Sequence, residues 1–213
     1  MDRAASTPEA LVASLRKAGI HDERLLDAFG HVPRTVFVPA ESRHRAYEDW
    51  PVPIAHDQVT TQPSLLALMV QALKLKGHER VLEVGTGLGF QAAILACLCR
   101  EVVSIEWFAD LGEQAQRNLD AAGITNVTLR VGDGSLGVPE RAPYDGIVIA
   151  AAAPAVSDAL GAQLVEGGRL VQPLGTGGDE RVTVFVKRDG QLIERATLTG
   201  AYFVPLRGAF GVR

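Results

Sequence analysis

The stretch Val81-Leu82-Glu83-Val84-Gly85-Thr86-Gly87-Leu88-Gly89-Phe90 limits what this chain can fold into more than any other. Its apolar first part reads as a short buried strand. Glycines at 85, 87 and 89 then form a tight turn, where backbone can approach a neighbour that a Cβ would strike. Gln91-Ala92-Ala93-Ile94-Leu95-Ala96 open an apolar helix whose first amides face the same space. Strand, glycine turn and helix in that order are a nucleotide-site signal of moderate specificity. The dinucleotide fingerprint places its third glycine three residues after the second. Here the step is two, and an acid, Glu83, stands before the first glycine.

The alternation continues to the C-terminus. Residues 102–105 read as a strand ending in Glu106, 110–122 as a helix, and 127–131 as a strand followed by Gly132-Asp133-Gly134. An apolar strand over 147–150, a helix over 156–164 and a strand over 169–171 follow. Residues 181–186 and 192–198 pair as antiparallel strands around Asp189-Gly190. This pattern predicts an α/β fold with a doubly wound, mostly parallel seven-stranded sheet and ligands at the carboxyl ends of the strands.

Upstream, residues 1–7 read as a frayed tail. Pro8-Glu9 open a helix that stops at Gly19. Asp22 caps a second, with Leu25, Leu26, Ala28 and Phe29 inward. Residues 36–39 look extended. Residues 46–63 form a long loop with Pro51, Pro53 and Pro63, too rich in aromatics for disorder. A helix over 64–75, ended by Gly77, turns Leu65, Leu68, Met69 and Leu73 to one side. The whole is read as one domain, 1–213, with an N-terminal helical cover and loop over 1–63 and the core over 64–213.

Composition removes several functions. A net charge of −4 without a block of Lys or Arg disfavours a nucleic-acid partner. No apolar run reaches the roughly 18 residues of a membrane helix, and no signal peptide is visible. Cys97 and Cys99 face different directions on a helix, as core thiols do, which suits a cytoplasmic protein. No metal-binding cluster of acids and histidines appears, so no metal is expected.

The acid-x-G-x-G-x-G pattern resembles the first motif of class I S-adenosylmethionine-dependent methyltransferases. That cofactor lacks phosphate but carries an ammonium and a sulfonium. Glu83 suits its amino-acid end, with Gly85, Thr86, Gly87 and Gly89 along its edge. Glu106 can accept from both ribose hydroxyls. Asp133 can accept from the adenine amino group, with the Gly134 amide near the ring. Nicotinamide enzymes share the ribose acid but not the acid–glycine pair after the third strand.

After the fourth strand the chain reads Ala150-Ala151-Ala152-Ala153-Pro154, where methylases of amide or base nitrogens often carry a D/N-P-P-Y/F motif. An acceptor that needs little acid–base help remains, and a carboxylate is already an anion near neutral pH. Nearly end to end, the chain resembles the protein-L-isoaspartate (D-aspartate) O-methyltransferases. The resemblance rests on Asp22-Glu23-Arg24, Val32-Pro33-Arg34 with Phe37-Val38-Pro39, Ala46-Tyr47, and Pro53-Ile54 leading to Gln58 and Gln62-Pro63. It continues through Leu82-Glu83-Val84-Gly85-Thr86-Gly87 with Gly89-Phe90-Gln91, Val131-Gly132-Asp133-Gly134, Ala142-Pro143-Tyr144-Asp145, Leu164-Val165-Glu166-Gly167-Gly168-Arg169-Leu170 and Phe203-Val204-Pro205-Leu206.

The resemblance implies a cytoplasmic enzyme that methylates the α-carboxyl of isoaspartyl residues in damaged proteins and peptides, and a monomer is expected. It places the family's acceptor-orienting serine at Thr61, which keeps the hydroxyl and adds a methyl. It puts His56, Gln58, Val59, Thr60, Ala151 and Arg207 on the acceptor side. There the chain departs from the family. Ala55 and Asp57 stand near family glycines, and Val59-Thr60-Thr61 replaces Thr-Ile-Ser. A specialised carboxyl methyltransferase for one peptide or protein fits the same departures, and a non-catalytic S-adenosylmethionine-binding module is a third reading. Trp50 and Tyr47 are expected to pack the loop. Trp107 covers the adenine or packs in the core, and Phe90 sits under the glycine turn.

Overall fold

The computed structural model describes residues 7–211, so all of the expected tail but Thr7 lies outside the described residues. Thr7 is not frayed: its side chain accepts from the Ala10 amide and caps α1 (Pro8–Lys17). Asp22 caps α2 (Glu23–His31) through the amides of Arg24 and Leu25, and Leu25, Leu26, Ala28 and Phe29 are its buried face. Residues 36–39 are not all extended, because Arg34–Phe37 closes a 3-10 turn that buries Arg34 and Phe37. In α3 (Pro63–Leu73) the inward residues are Leu66, Ala67, Met69, Val70 and Leu73. Leu65 and Leu68, expected inside, are only partly buried. The helix stops before Gly77, at Lys74, which takes the left-handed conformation with φ 58°.

The core then alternates: β1 (Arg80–Val84), α4 (Phe90–Ala96), β2 (Glu101–Glu106), α5 (Ala109–Ala121), β3 (Val127–Val131), β4 (Tyr144–Ile149), α6 (Asp158–Ala162), β5 (Leu164–Leu174), β6 (Arg181–Arg188) and β7 (Gln191–Gly200). One seven-stranded sheet runs β3-β2-β1-β4-β5-β6-β7. The pairs from β3 to β5 are parallel, and β6 and β7 join antiparallel. The chain winds outward from β1 to β3 and crosses back to β4, so the order of winding reverses between the parallel neighbours β1 and β4. Ligands of such sheets bind at that reversal, outside the strand ends.

Side-chain period two sorts the strands between two cores. Val81 and Val102 pack with α1 to α4, whereas Leu82, Val84, Val103, Ile105, Ile147 and Ile149 pack with α6. Glu83 and Ser104 share the parity of Val81 and Val102, so they point to the helical cover. This parity decides what Glu83 can touch.

The loop before α3 is more ordered than its prolines suggest. Pro53 and Val59 form an antiparallel bridge, and the Ile54 amide donates to Gln58 O. His56 and Asp57, at φ 60° and 57°, make the turn of a short hairpin. Such two-residue turns need φ above zero at both positions.

Candidate active site

Beyond the ends of β1 and β4 a cleft opens between the glycine turn and the loop hairpin. Val84, Gly85, Thr86 and Gly87 form one wall. Glu106, Trp107, Phe108 and Leu111 form a second, Gly134 closes one end, and Ala150, Ala151 and Val204 line the other. A second cleft, lined by Trp50, His56, Asp57, Leu65, Leu68 and Tyr202 among others, meets it. Gln58, Val59, Thr60, Thr61, Ala150, Val204, Pro205 and Arg207 line both. The molecule therefore holds two joined chambers, an inner one at the strand ends and an outer one on the far side of the hairpin residues they share.

Glu106 is the acid that faces the inner chamber. It is 5% exposed, and its two oxygens accept from the Gly87 amide at 2.8 Å and the Phe108 amide at 3.1 Å. Burial pushes its pKa up, and the amide bonds pull it back. The Gly87 amide reaches Glu106 from a backbone at φ 57°, which glycine adopts without strain.

Glu83 is not on the cleft wall where the sequence reading puts it. It is fully buried beneath the glycine turn and accepts from Ser104, which shares a 2.5 Å hydrogen bond with Thr86. Burial pushes its pKa to about 8. The reason is strand parity, which turns this side chain toward α4.

Asp133 is also placed differently from the expectation. One oxygen accepts from the Ser135 amide and hydroxyl, and the other from the Ala209 amide at 2.8 Å. The C-terminal turn over 208–211 thus occupies the carboxylate expected to meet adenine. A Cβ at Gly208 would lie 1.9 Å from Asp133 Oδ1, so only glycine allows this seat. Gly134 does line the inner chamber. Gly89 does not; it caps α4 and packs on Ala115 of α5.

On the outer side, Thr61 lies where the chambers meet, and no hydrogen bond among the described residues engages its hydroxyl. Thr60 is a structural partner, its hydroxyl accepting from the Val52 amide at 2.9 Å. Gln58 donates its amide to His56 O. His56 stacks on Phe108 at 4.0 Å between ring centres and bonds Asp110 at 2.8 Å. Arg207 lies 5.3 Å over the same ring. Phe108 and Asp110 thus anchor the hairpin tip, a role that only long-range contacts reveal. Val59 is exposed on both chambers, and Ala151 is buried against the inner one.

Trp50 does not pack the loop as expected; it is 65% exposed on the outer chamber beside Tyr202 at 79%. Tyr47 packs against the core. Trp107 lies partly exposed on the inner chamber rather than in the core. Phe90 is buried under the glycine turn against Phe29 and Phe37. Among the described residues no group of three or more His, Cys, Asp or Glu could hold a metal, and no helix is long and apolar enough to cross a membrane.

The chambers fit a polar nucleoside with an amino-acid tail: one buried carboxylate for hydroxyls, a glycine edge, apolar walls for a ring, and buried polar groups at the far side. Comparison with known proteins agrees. The family model described as Protein-L-isoaspartate(D-aspartate) O-methyltransferase (PCMT) matches residues 6–210. Protein-L-isoaspartate O-methyltransferase 2 of Marinobacter nauticus is 50% identical over 91% of this chain and 89% of its own. The Protein-L-isoaspartate O-methyltransferase of Methanoculleus marisnigri is 45% identical over 95% and 92%. A solved protein-L-isoaspartate O-methyltransferase superposes with TM-score 0.85 at 32% identity, covering 96% of this chain and 67% of that one. A second, a putative enzyme of that activity from Plasmodium falciparum in complex with S-adenosyl-L-homocysteine, shares the fold with TM-score 0.82 at 22% identity, covering 94% and 98%.

Proposed function

The chain belongs to the protein-L-isoaspartate(D-aspartate) O-methyltransferase family, and on that premise we propose that it methylates the α-carboxyl of L-isoaspartyl residues in damaged proteins. The inner chamber takes S-adenosylmethionine and the outer one the isoaspartyl segment. When bound, S-adenosylmethionine supplies a methyl on a sulfonium, an electrophile for an oxygen anion. The observation that carries this reading is the joint between the chambers, with the open Thr61 hydroxyl at it.

Each residue then has a physical task. Glu106 accepts from the ribose hydroxyls, held in place by two backbone amides. The glycine edge at 85–87 lets the cofactor lie against the strand end. Thr61 donates to the acceptor carboxylate and fixes which oxygen points inward. No side chain has to take a proton, because the acceptor is ionised near neutral pH. The hairpin over 53–59 and its His56 anchor shield the joint from water, which a nucleophilic carboxylate must shed. Asp133 holds the C-terminal turn beside Gly134 and so shapes the adenine end from behind. The reading also makes residues 1–63 the acceptor cover and 64–213 the cofactor core of one domain. It describes a monomeric, cytoplasmic enzyme, in keeping with two unpaired thiols.

Incubation with methyl-labelled cofactor and an isoaspartyl peptide, beside its aspartyl twin, tests the function. Base-labile label on the isoaspartyl peptide alone is expected. Label on another protein or peptide would show a specialised carboxyl methyltransferase. Cofactor binding without transfer would show a binding module.

A further inference from the structure

Gln91 is buried to 6% exposure at the start of α4, and it lines the inner chamber. Among the described residues neither its side-chain nitrogen nor its oxygen has a hydrogen-bond partner. The amide lies close enough to Glu83 to draw that carboxyl's pKa down, yet no bond of standard geometry closes, and Glu83 Oε1 is unpartnered as well. Buried polar side chains in folded proteins are almost always paired, since an unpaired one forfeits its hydration without replacement. Two unsatisfied polar groups side by side, one of them on a ligand chamber, therefore point to a ligand group.

The chemistry of that group follows from what is offered. An amide supplies a donor and an acceptor a little over two ångströms apart. Glu83, behind it, supplies an acceptor or, when protonated, a donor. The remaining chamber walls near the glycine turn are apolar: Phe37, Leu66, Leu88 and Phe90. A hydrocarbon or a lone hydroxyl would leave half of the amide unsatisfied. A zwitterion, with ammonium and carboxylate on one carbon, satisfies both halves.

We propose that Gln91 is a cofactor-specificity residue: its amide reads the α-amino-acid end of S-adenosylmethionine and of its demethylated product. This rests on the cofactor reading above and assigns it a residue. Glu83 lies behind the amide and does not line the chamber itself. Discrimination between a full cofactor and a nucleoside thioether without the amino-acid tail then resides at position 91.

Calorimetric titration with S-adenosylhomocysteine and with 5′-methylthioadenosine, which lacks the tail, tests it on native protein, Gln91→Met and Gln91→Leu. Two apolar variants guard against misfolding of one, and thermal unfolding selects those that fold. Losing both amide bonds is expected to weaken S-adenosylhomocysteine about 10- to 100-fold. Methylthioadenosine should bind within about twofold of native, because no bond to it is lost. Native affinity for both ligands in a folded variant would overturn the proposal. Equal losses for both would overturn it too, since that marks Gln91 as a shape-keeper. Neither titration contains an acceptor, so a failed isoaspartyl assay leaves the proposal standing. A native protein that binds neither nucleoside would overturn the cofactor reading itself.

Discussion

On the proposed reading, Glu106 serves cofactor binding and Thr61 serves transfer. Glu106 meets only the inner chamber, and its carboxylate is fixed by the Gly87 and Phe108 amides. Glu106→Ala removes the proposed ribose acceptor and leaves those amides unpaired, so cofactor affinity should fall about 10- to 100-fold by calorimetry. Thr61→Val keeps shape and deletes one hydroxyl that no described residue uses. Cofactor affinity should hold, while the single-turnover methyl-transfer rate drops about tenfold or more. Equal loss of cofactor binding in both variants would contradict this division. Glu83 yields a prediction of a different kind. Its pKa is about 8 in the fold against 4.5 for an ordinary carboxyl. Below that lower value both folded and unfolded chains carry the proton, and Glu83→Gln should be near neutral. Between the two values the unfolded chain ionises and the folded one does not, so the native protein loses stability as pH rises. Glutamine cannot ionise. The variant's advantage should therefore grow from pH 5 to pH 8, reaching on the order of a few kcal/mol. Urea unfolding at several pH values measures it. Glu106, whose pKa is also raised, stays in both proteins and cancels in the difference. A gap that does not widen would show Glu83 ionised in the fold.

Among the elements, the hairpin over 53–59 bears on function most directly, since it roofs the joint between the chambers. Asp57 sits at its turn with φ 57° and lines the outer chamber with a negative charge. Among the described residues no hydrogen bond of its side chain repays the left-handed backbone. Asp57→Gly should relieve that turn and raise stability by up to about 1 kcal/mol, or roughly 2–4 °C in Tm. It should also lower KM for an isoaspartyl peptide, because a like charge leaves the acceptor's path. A fall in Tm would show that the aspartate holds the turn in a way its geometry does not suggest. The elements also explain what the sequence could tell. The sheet was legible because β1, β2 and β4 are short, largely apolar runs that alternate with helical patterns, β1 ending in the glycine turn, and Asp22 announced its helix by capping chemistry. The three strand-end acids were legible as a row but not as a set of contacts. Glu83 follows strand parity into the cover, and Asp133 is claimed by Ala209, a partner 76 residues away. Trp50 read as packing because nothing local says that Arg34 holds this loop by its carbonyls, leaving the indole outside. Gln91 stood out only as the end of the glycine-turn motif and carried no role there, since a glutamine on an apolar helix looks like a solvated one until its burial is known.

Arg34 ties these parts into one molecule. It is 1% exposed and donates to Ala46 O at 2.6 Å, Glu48 O at 3.0 Å and Trp50 O at 3.4 Å, and it lies 5.4 Å over Phe90. No carboxylate forms a salt bridge with it among the described residues, and burial pushes its pKa down to about 10. A buried cation is costly by itself. What this one secures is a loop whose carbonyls have no strand to pair with, and the loop runs straight into the hairpin that roofs the joint. Phe90, on the other side, lines the inner chamber. Arg34→Met keeps the apolar stem and deletes every donor, so one buried carbonyl loses its partner at about 1–3 kcal/mol and two partly buried ones at less. The loss should not be the full sum, because the loop can relax toward water; a fall of roughly 5–15 °C in Tm is expected. If Arg34 also positions the acceptor side, the same variant must raise KM for the isoaspartyl peptide several-fold while S-adenosylhomocysteine affinity changes little. Differential scanning calorimetry and initial-rate kinetics on one preparation separate the two effects. A lowered Tm with unchanged KM would confine Arg34 to stability and return control of the joint to His56, Phe108 and Asp110.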